Sequence, residues 1–163
     1  MPDIEPLDPS LFASEPQCFG CGPDHPTGLR LRMVREGDEV VTRFTPRKGL
    51  DGPPGIVHGG LQATIADEVG AWAIVGLKKR FGFTTSMSLR YYRPARTHLI
   101  IEARARIISE HNGLYTVQVT LRQAGQRVLS GRIGYAVPTE STAEAILQQP
   151  IPQAWKPLCR PSS

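Results

Sequence analysis

One long helical pattern followed by four strand patterns is the feature that most constrains this fold. Residues 60–79 carry an apolar stripe and small or apolar groups over much of the remaining helix surface. Four segments in which apolar and polar residues alternate then follow, at residues 83–92, 99–109, 114–122 and 127–137. Turn sequences such as His111-Asn112-Gly113 separate them. Short turns join antiparallel neighbours. The second half of the chain therefore predicts an antiparallel sheet.

Two further strands precede the helix, at residues 29–33 and 40–44, with a turn at residues 36–39. One helix beside about six antiparallel strands predicts an α+β fold in which a curved sheet wraps the helix. A helix that is apolar nearly all round is buried on most sides. Since one sheet covers only part of it, we expect a second copy of the chain to cover the rest.

The 163 residues suit a single domain. Residues 18–137 hold the regular patterns, whereas residues 1–17 form an N-terminal arm and residues 138–163 a Pro-rich C-terminal tail. Arms of this composition are usually poorly ordered or draped over the surface. Residues 139–149 could add one short helix.

The chain has no features of an exported or membrane protein. Its three cysteines are an odd number, and residues 1–17 contain four acidic and no basic side chains. The most apolar stretch, residues 61–77, carries two carboxylates and is a poor membrane span. We expect a cytoplasmic protein with no membrane contact.

Basic residues are in excess in the middle of the chain, where residues 18–138 hold 17 basic and 9 acidic side chains. Such an excess attracts anions, including nucleic acid and phosphorylated small molecules. The longest basic run is only Lys78-Lys79-Arg80. This spacing favours a small anionic ligand over nucleic acid.

Two adjacent carboxylates, Asp67 and Glu68, interrupt the apolar helix. Ionised groups are rarely buried without a partner, because desolvation costs several kcal/mol. One of the pair could face water or bind an arginine, and this explanation suits Glu68 better than Asp67. Asp67 is the stronger candidate for chemistry because of the residues that precede the helix.

His58-Gly59-Gly60 lies immediately before the helix. The first-turn N–H groups of a helix have no internal partners, and with the helix dipole they stabilise a phosphate or an oxyanion. The glycines could instead serve only loop geometry, and His58 could be structural. Asp67 follows Gly59 by two helical turns, about 12 Å. Two antiparallel helices from two subunits would bring these positions together.

The run from His58 to Glu68 resembles the HGG…D/E signature of hotdog-fold acyl-CoA thioesterases, in the group of phenylacetate-pathway and 4-hydroxybenzoyl-CoA thioesterases. The segments Tyr91–Ala95, Cys18–Gly22 and Gly28-Leu29 extend the resemblance over residues 18–137. It implies hydrolysis of a coenzyme A thioester at a subunit interface, in a homodimer or a dimer of dimers.

The resemblance also implies roles for individual residues. The Gly59 N–H would polarise the thioester carbonyl, and Asp67 would be the general base or the nucleophile. Thr85 would position water, and His58 would shape the oxyanion loop. Gly60 and Glu68 complete the predicted catalytic set. Many members carry Asn or Gln where this chain has Gly52, and the loss of one oxyanion donor typically costs about 10²–10³ in rate.

Basic side chains near the helix and the next strand are candidates for binding the coenzyme A phosphates: Lys79, Arg80, Arg90, Arg93 and Arg96. Lysines and arginines at a helix C-terminus can also simply complement its dipole. Apolar side chains that could line an acyl pocket, or belong to the core, are Trp72, Phe81, Phe83, Met87 and Tyr92.

No metal or resident cofactor is expected. Cys18, Cys21 and His25 have a spacing that could begin a zinc site, but a structural site needs four ligands and Cys159 lies far along the tail. The cysteines are better explained as small apolar groups.

Three functions remain open. Acyl-CoA hydrolysis ranks first. A hotdog domain that binds acyl-CoA without turnover, as a sensor or carrier, ranks second because of Gly52. An acyl-thioester dehydratase or hydratase ranks third, since its usual Asp/His arrangement is not evident.

Overall fold

The computed structural model describes residues 3–162. Seven strands and two helices follow in chain order, with short 3-10 turns at Pro9–Phe12 and Gln153–Leu158. Their bounds are β1 Ile4–Pro6, β2 Met33–Glu36, β3 Glu39–Phe44, α1 Gly59–Lys78, β4 Phe83–Tyr91, β5 Ile101–His111, β6 Leu114–Gln123, β7 Gln126–Ala136 and α2 Glu140–Leu147.

The seven strands form one antiparallel sheet in the order β1-β2-β3-β5-β6-β7-β4. The sheet curves around α1, and its inward side chains pack on the helix to form the main core. Alternate residues of β6, namely Val117, Val119 and Leu121, are fully buried in that core. The predicted α+β fold, one long helix wrapped by a curved antiparallel sheet, is therefore confirmed.

The sheet has one strand more than the six predicted. The additional strand is β1, whose three residues pair with β2; three residues are too few to show a periodicity in the sequence. The strand predicted at residues 29–33 begins only at Met33. The Leu29 and Leu31 side chains are buried, but their N–H groups donate to the Phe19 and Gly20 carbonyls instead of a sheet neighbour.

Helix α1 is covered from two sides by its own chain. The sheet lies on one side, and the segment before β2 supplies buried side chains, including Leu7, Cys21 and Leu31, on another. Phe12 packs edge-on against Trp72, with ring centroids 5.3 Å apart. The N-terminal segment thus covers part of the helix surface that we expected a second subunit to cover.

Both terminal arms pack against the domain where the structure describes them; residues 1, 2 and 163 lie outside the described range. The short helix predicted at residues 139–149 is confirmed as α2, which Thr139 caps by accepting from the Thr142 N–H. Beyond it, Trp155 stacks on Phe12 and Phe81. Within residues 3–162, no helix has the length and apolar character needed to cross a bilayer.

Candidate active site

The start of α1 presents one unused backbone donor. His58 is the N-cap residue, and its Nδ1 accepts from the Gly60 N–H at 3.0 Å. The next two N–H groups, of Leu61 and Gln62, donate to the His58 carbonyl. The Gly59 N–H has no acceptor among residues 3–162. Such a free amide at the positive end of a helix can stabilise negative charge on a ligand.

The Tyr91 side chain contacts the start of α1. This contact was not predicted from the sequence. Tyr91 is the last residue of β4, and its hydroxyl donates to the Gly59 carbonyl at 2.8 Å. Burial raises the pKa of Tyr91, so the phenol stays protonated and keeps donating. Gly59, Tyr91, Gln62 and Arg93 line one groove of about 380 Å³. The Gln62 side chain is buried there, and its Oε1 has no partner in the described chain.

The Asp67 carboxylate is held by two hydroxyl groups. Thr84 Oγ1 donates to Oδ1 at 2.8 Å, and the Tyr135 hydroxyl donates to the Asp67 carbonyl at 2.8 Å and to Oδ1 at 3.2 Å. Burial, followed by the Asp67 charge, raises the pKa of Tyr135. The Tyr135 hydroxyl therefore remains a donor to Asp67.

Thr84 donates to Asp67, whereas its neighbour Thr85, which was predicted to position water, lies next to it on strand β4. The pairing of β4 with β7 shifts between Thr84 and Ser86. The Thr85 hydroxyl lies beside Gly134, on the neighbouring strand. Because side chains alternate across a strand, this local shift decides which threonine faces the helix.

Asp67 borders an apolar cavity of about 310 Å³ between α1 and both terminal arms. Aromatic rings form much of its wall: Phe12, Trp72, Phe81, Phe83 and Trp155. Trp72, Phe81 and Phe83 were expected from the sequence, whereas Met87 is exposed elsewhere on the surface and Tyr92 lines the Gly59 groove. Phe12 and Trp155 lie in the arms, where no periodic pattern indicates a pocket.

Glu68 lies partly buried against the cysteine loop, and among residues 3–162 no arginine forms an ion pair with it. Cys18 Sγ and Glu68 Oε1 form a hydrogen bond of 3.4 Å. Burial, followed by the charge of Cys18, raises the pKa of Glu68 to about 8. The Cys21 thiol, followed by the Cys21 and Gly20 N–H groups, lowers the pKa of Cys18 to about 5 against the effect of burial. His25 instead accepts from the Gly28 N–H at 2.8 Å.

The basic candidates form two groups at opposite ends of α1, about 30 Å apart by the helical rise. Arg90, Arg93 and Arg96 are exposed at the end of β4 and in the loop beyond it. Arg93 lines the Gly59 groove, whereas Arg90 lies over the Tyr92 ring and lines a separate depression. Lys79 ends the helix in a left-handed conformation. Arg80 donates to the Pro157 carbonyl and so holds the C-terminal tail.

A single chain does not bring Gly59 and Asp67 together. Gly59 opens onto the groove with Tyr91, whereas Asp67 borders the aromatic cavity. One depression therefore holds a free backbone donor, and the other holds an oriented carboxylate.

A sequence profile of the thioesterase superfamily matches residues 54–130, from the loop before α1 into β7. The chain therefore has a hotdog fold like that of thioesterase-superfamily proteins. Among proteins with curated functions, no sequence matches it significantly.

Solved structures of thioesterase-superfamily proteins share the hotdog fold of this domain. One is 25% identical with a TM-score of 0.67, over 73% of this chain and 59% of the other, so this chain spans less than two thirds of that protein. A phenylacetic acid degradation-related protein from Ralstonia eutropha is 21% identical, with a TM-score of 0.62 over 71% and 90% of the two chains.

A third hotdog structure, a hypothetical thioesterase with coenzyme A from Streptococcus pneumoniae, is 16% identical to this chain. Its TM-score is 0.58, over 61% of this chain and 80% of the other. At this identity the likeness concerns the fold alone.

Proposed function

We propose that this protein hydrolyses an acyl-CoA thioester to the free acid and coenzyme A. The observation that carries the proposal is the Asp67 carboxylate, which Thr84 and Tyr135 hold at the edge of an aromatic-lined cavity. The match of residues 54–130 to the thioesterase superfamily supports this reaction class.

In the proposed reaction, the Gly59 N–H donates to the thioester oxygen, where negative charge develops as the carbonyl carbon becomes tetrahedral. As a general base, Asp67 takes a proton from the attacking water. The C–S bond then breaks, and the thiolate leaves and gains the proton. As a nucleophile, Asp67 would form a mixed anhydride that water hydrolyses in a second step. Both routes use the same oriented carboxylate.

We place the site between two subunits of a homodimer or a dimer of dimers. Gly59 and Asp67 are two helical turns apart in one chain, about 12 Å by the helical rise, and border different cavities. Strand β4 is the last in the sheet and pairs only with β7 among the described residues. Its Met87 and Tyr91 are 39% and 48% exposed. An exposed sheet edge of this kind is suited to pairing with another chain.

The coenzyme A moiety would occupy the basic side of the Gly59 groove. Arg93 lines that groove, and Arg90 and Arg96 are close to it in sequence on the same exposed segment. Guanidinium groups bind phosphates through charge-assisted hydrogen bonds. Lys79 and Arg80, at the other end of α1, would contact coenzyme A only from a second subunit. The hotdog protein from S. pneumoniae, solved with coenzyme A, supports this class of ligand.

The test is Asp67→Asn, assayed with a panel of acyl-CoAs and a thiol reagent. This substitution keeps the shape of the side chain and removes its basicity, so we expect kcat to fall by about 10²–10⁴. Asp38→Asn, in the turn between β2 and β3, is the matched control and should retain full activity. Wild-type turnover that Asp67→Asn leaves intact would remove Asp67 from the mechanism.

The alternative is a domain that binds acyl-CoA without hydrolysing it, because Gly52 supplies no side-chain donor to the oxyanion. A Cβ at Gly52 would lie 3.4 Å from the His58 ring, an ordinary contact. Gly52→Asn is therefore compatible with the fold and would return a donor to this loop. Tight acyl-CoA binding with no thiol release by the wild type would favour the alternative.

A further inference from the structure

The loop at Cys18–Cys21 and the middle of α1 bring three metal-ligating side chains together. Ligand atoms of Cys18, Cys21 and Glu68 all lie within 4.8 Å of one another. The Cys18 Sγ to Glu68 Oε1 distance is 3.4 Å. Tetrahedral zinc, with bonds of about 2.3 Å to sulfur and about 2.0 Å to oxygen, would separate such a pair by about 3.5 Å. The Cys18–Glu68 pair thus already has the spacing of two zinc ligands, and Cys21 lies within reach of the same ion.

The backbone of the loop is shaped closely around these atoms. The Cys21 N–H points at Cys18 Sγ at 3.4 Å, and the Gly22 N–H donates to the Cys18 carbonyl at 2.8 Å. A Cβ at Gly20 would lie 2.3 Å from the Glu68 carboxyl carbon. Gly20 therefore allows the loop to lie directly on the Glu68 carboxylate.

Glu68 lacks the partner that a buried carboxylate normally has. Among residues 3–162, no lysine or arginine forms an ion pair with it, and its hydrogen-bond partner is the Cys18 thiol. Buried charges are ordinarily paired or bound to a metal. A cation bound here would balance the negative charge of Glu68 in its ionised form.

We propose that Cys18, Cys21 and Glu68 bind a thiophilic divalent cation, of which Zn²⁺ fits best. Two thiolates and one carboxylate match the ligand preferences of zinc, whereas calcium and magnesium prefer oxygen ligands alone. Binding releases the thiol protons to solvent. Three protein ligands leave one tetrahedral position for water, and all three residues line the aromatic cavity beside Asp67. The cation would fasten the N-terminal segment to α1, whether or not the protein hydrolyses thioesters.

The test uses the full chain, purified reduced and without a polyhistidine tag. We expect about one zinc per chain by elemental analysis, in line with a single three-residue site. Replacement by Co²⁺ should give thiolate-to-cobalt charge-transfer absorption in the near ultraviolet. Removal of the metal by a chelator should lower the melting temperature, and added Zn²⁺ should restore it.

Matched variants separate this cluster from adventitious thiol binding. Cys18→Ser and Glu68→Gln should each weaken metal binding at least about tenfold, whereas Cys159→Ser, which alters a thiol outside the cluster, should bind as the wild type does. Glu68→Gln preserves side-chain shape, and circular dichroism verifies that it folds. The proposal would be overturned if the reduced wild-type protein contained no zinc and gave no thiolate-to-cobalt band after Co²⁺ was added. So would a Cys18–Cys21 disulfide in metal-free protein, or equal losses in Cys18→Ser and Cys159→Ser.

Discussion

Gly70 and Tyr135 approach each other more closely than any larger residue at position 70 would allow. A Cβ at Gly70 would lie 2.3 Å from the Tyr135 hydroxyl, which donates to Asp67. Glycine therefore lets a strand residue reach the helix backbone and orient the proposed catalytic carboxylate.

Gly70→Ala should displace the Tyr135 ring and lower the free energy of unfolding by about 1–3 kcal/mol, the usual cost of overpacking. In a Tyr135→Phe background the hydroxyl is gone, so the same substitution should cost less. Urea denaturation of the wild type, both single variants and the double variant measures this coupling. Additive effects would mean that the two positions do not interact as described.

The proposed role of the Gly59 N–H can be tested by a substitution that removes this one backbone donor. Gly59 is the first residue of α1, where proline is well tolerated, and His58 has the extended φ of −54° and ψ of 133° that a following proline requires. Gly59→Pro removes the N–H, so kcat should fall by about 10²–10³. Gly59→Ala keeps the N–H, and its Cβ would meet Tyr91 at 3.7 Å, an ordinary contact. Equal activity in the two variants would argue against an oxyanion role for this amide.

Residue identity and spacing predicted part of the candidate site. A motif beside a predicted helix start singled out His58, Gly59 and Asp67; His58 caps α1 and Gly59 is its first residue, while their catalytic roles stay predictions. The contact of Thr84 with Asp67 depends on a local shift in strand pairing that the sequence does not encode visibly. The contact of Cys18 with Glu68 joins residues 50 positions apart, and no local pattern predicts such a separation.

At the level of elements, a charged network joins the strands at one side of the sheet. Arg104 of β5 binds Glu36 of β2 at 3.0 Å and Glu39 of β3 at 3.1 Å. Arg43 also binds Glu36, at 2.9 Å. The Arg43 hydrogen bond, followed by that of Arg104, lowers the pKa of Glu36 below its ordinary value of 4.5.

When folding lowers the pKa of a carboxylate, that group stabilises the fold fully at pH values above its unfolded-state pKa. The contribution is lost as the pH falls through the folded-state pKa. The free energy of unfolding should therefore decrease between about pH 5 and pH 3 as Glu36 is protonated. Glu36→Gln should show a shallower decrease, while Glu15→Gln, on an exposed loop, should follow the wild type. Parallel pH profiles for all three proteins would exclude this network as a source of acid sensitivity.

The long elements were the predictable part of the fold. β5, β6 and β7 have ten or eleven residues each, so alternation is repeated often enough to identify them. The three residues of β1 and the irregular segment before β2 are fixed by contacts with distant residues. Local propensity carries little information about such segments.

At the scale of the whole molecule, a two-subunit site predicts complementation between inactive variants. Gly59→Pro and Asp67→Asn alter different halves of the proposed site. A mixed dimer would contain one site with both residues intact, so random pairing should restore about a quarter of wild-type activity. The two variants would be co-expressed, purified and compared with each alone by steady-state assay. A mixture no more active than its components would place both residues in one subunit's site, or outside the mechanism.

The packing of Phe12 from one arm against Trp155 from the other has a practical consequence for anyone shortening this protein. A fragment trimmed to the profile match, residues 54–130, would discard both aromatic rings along with Cys18 and the strands β1 to β3. In the remaining fragment, α1 would lose the N-terminal segment that packs on it, and the aromatic cavity would lose two residues of its wall. Truncation experiments on this chain should therefore keep its two ends together.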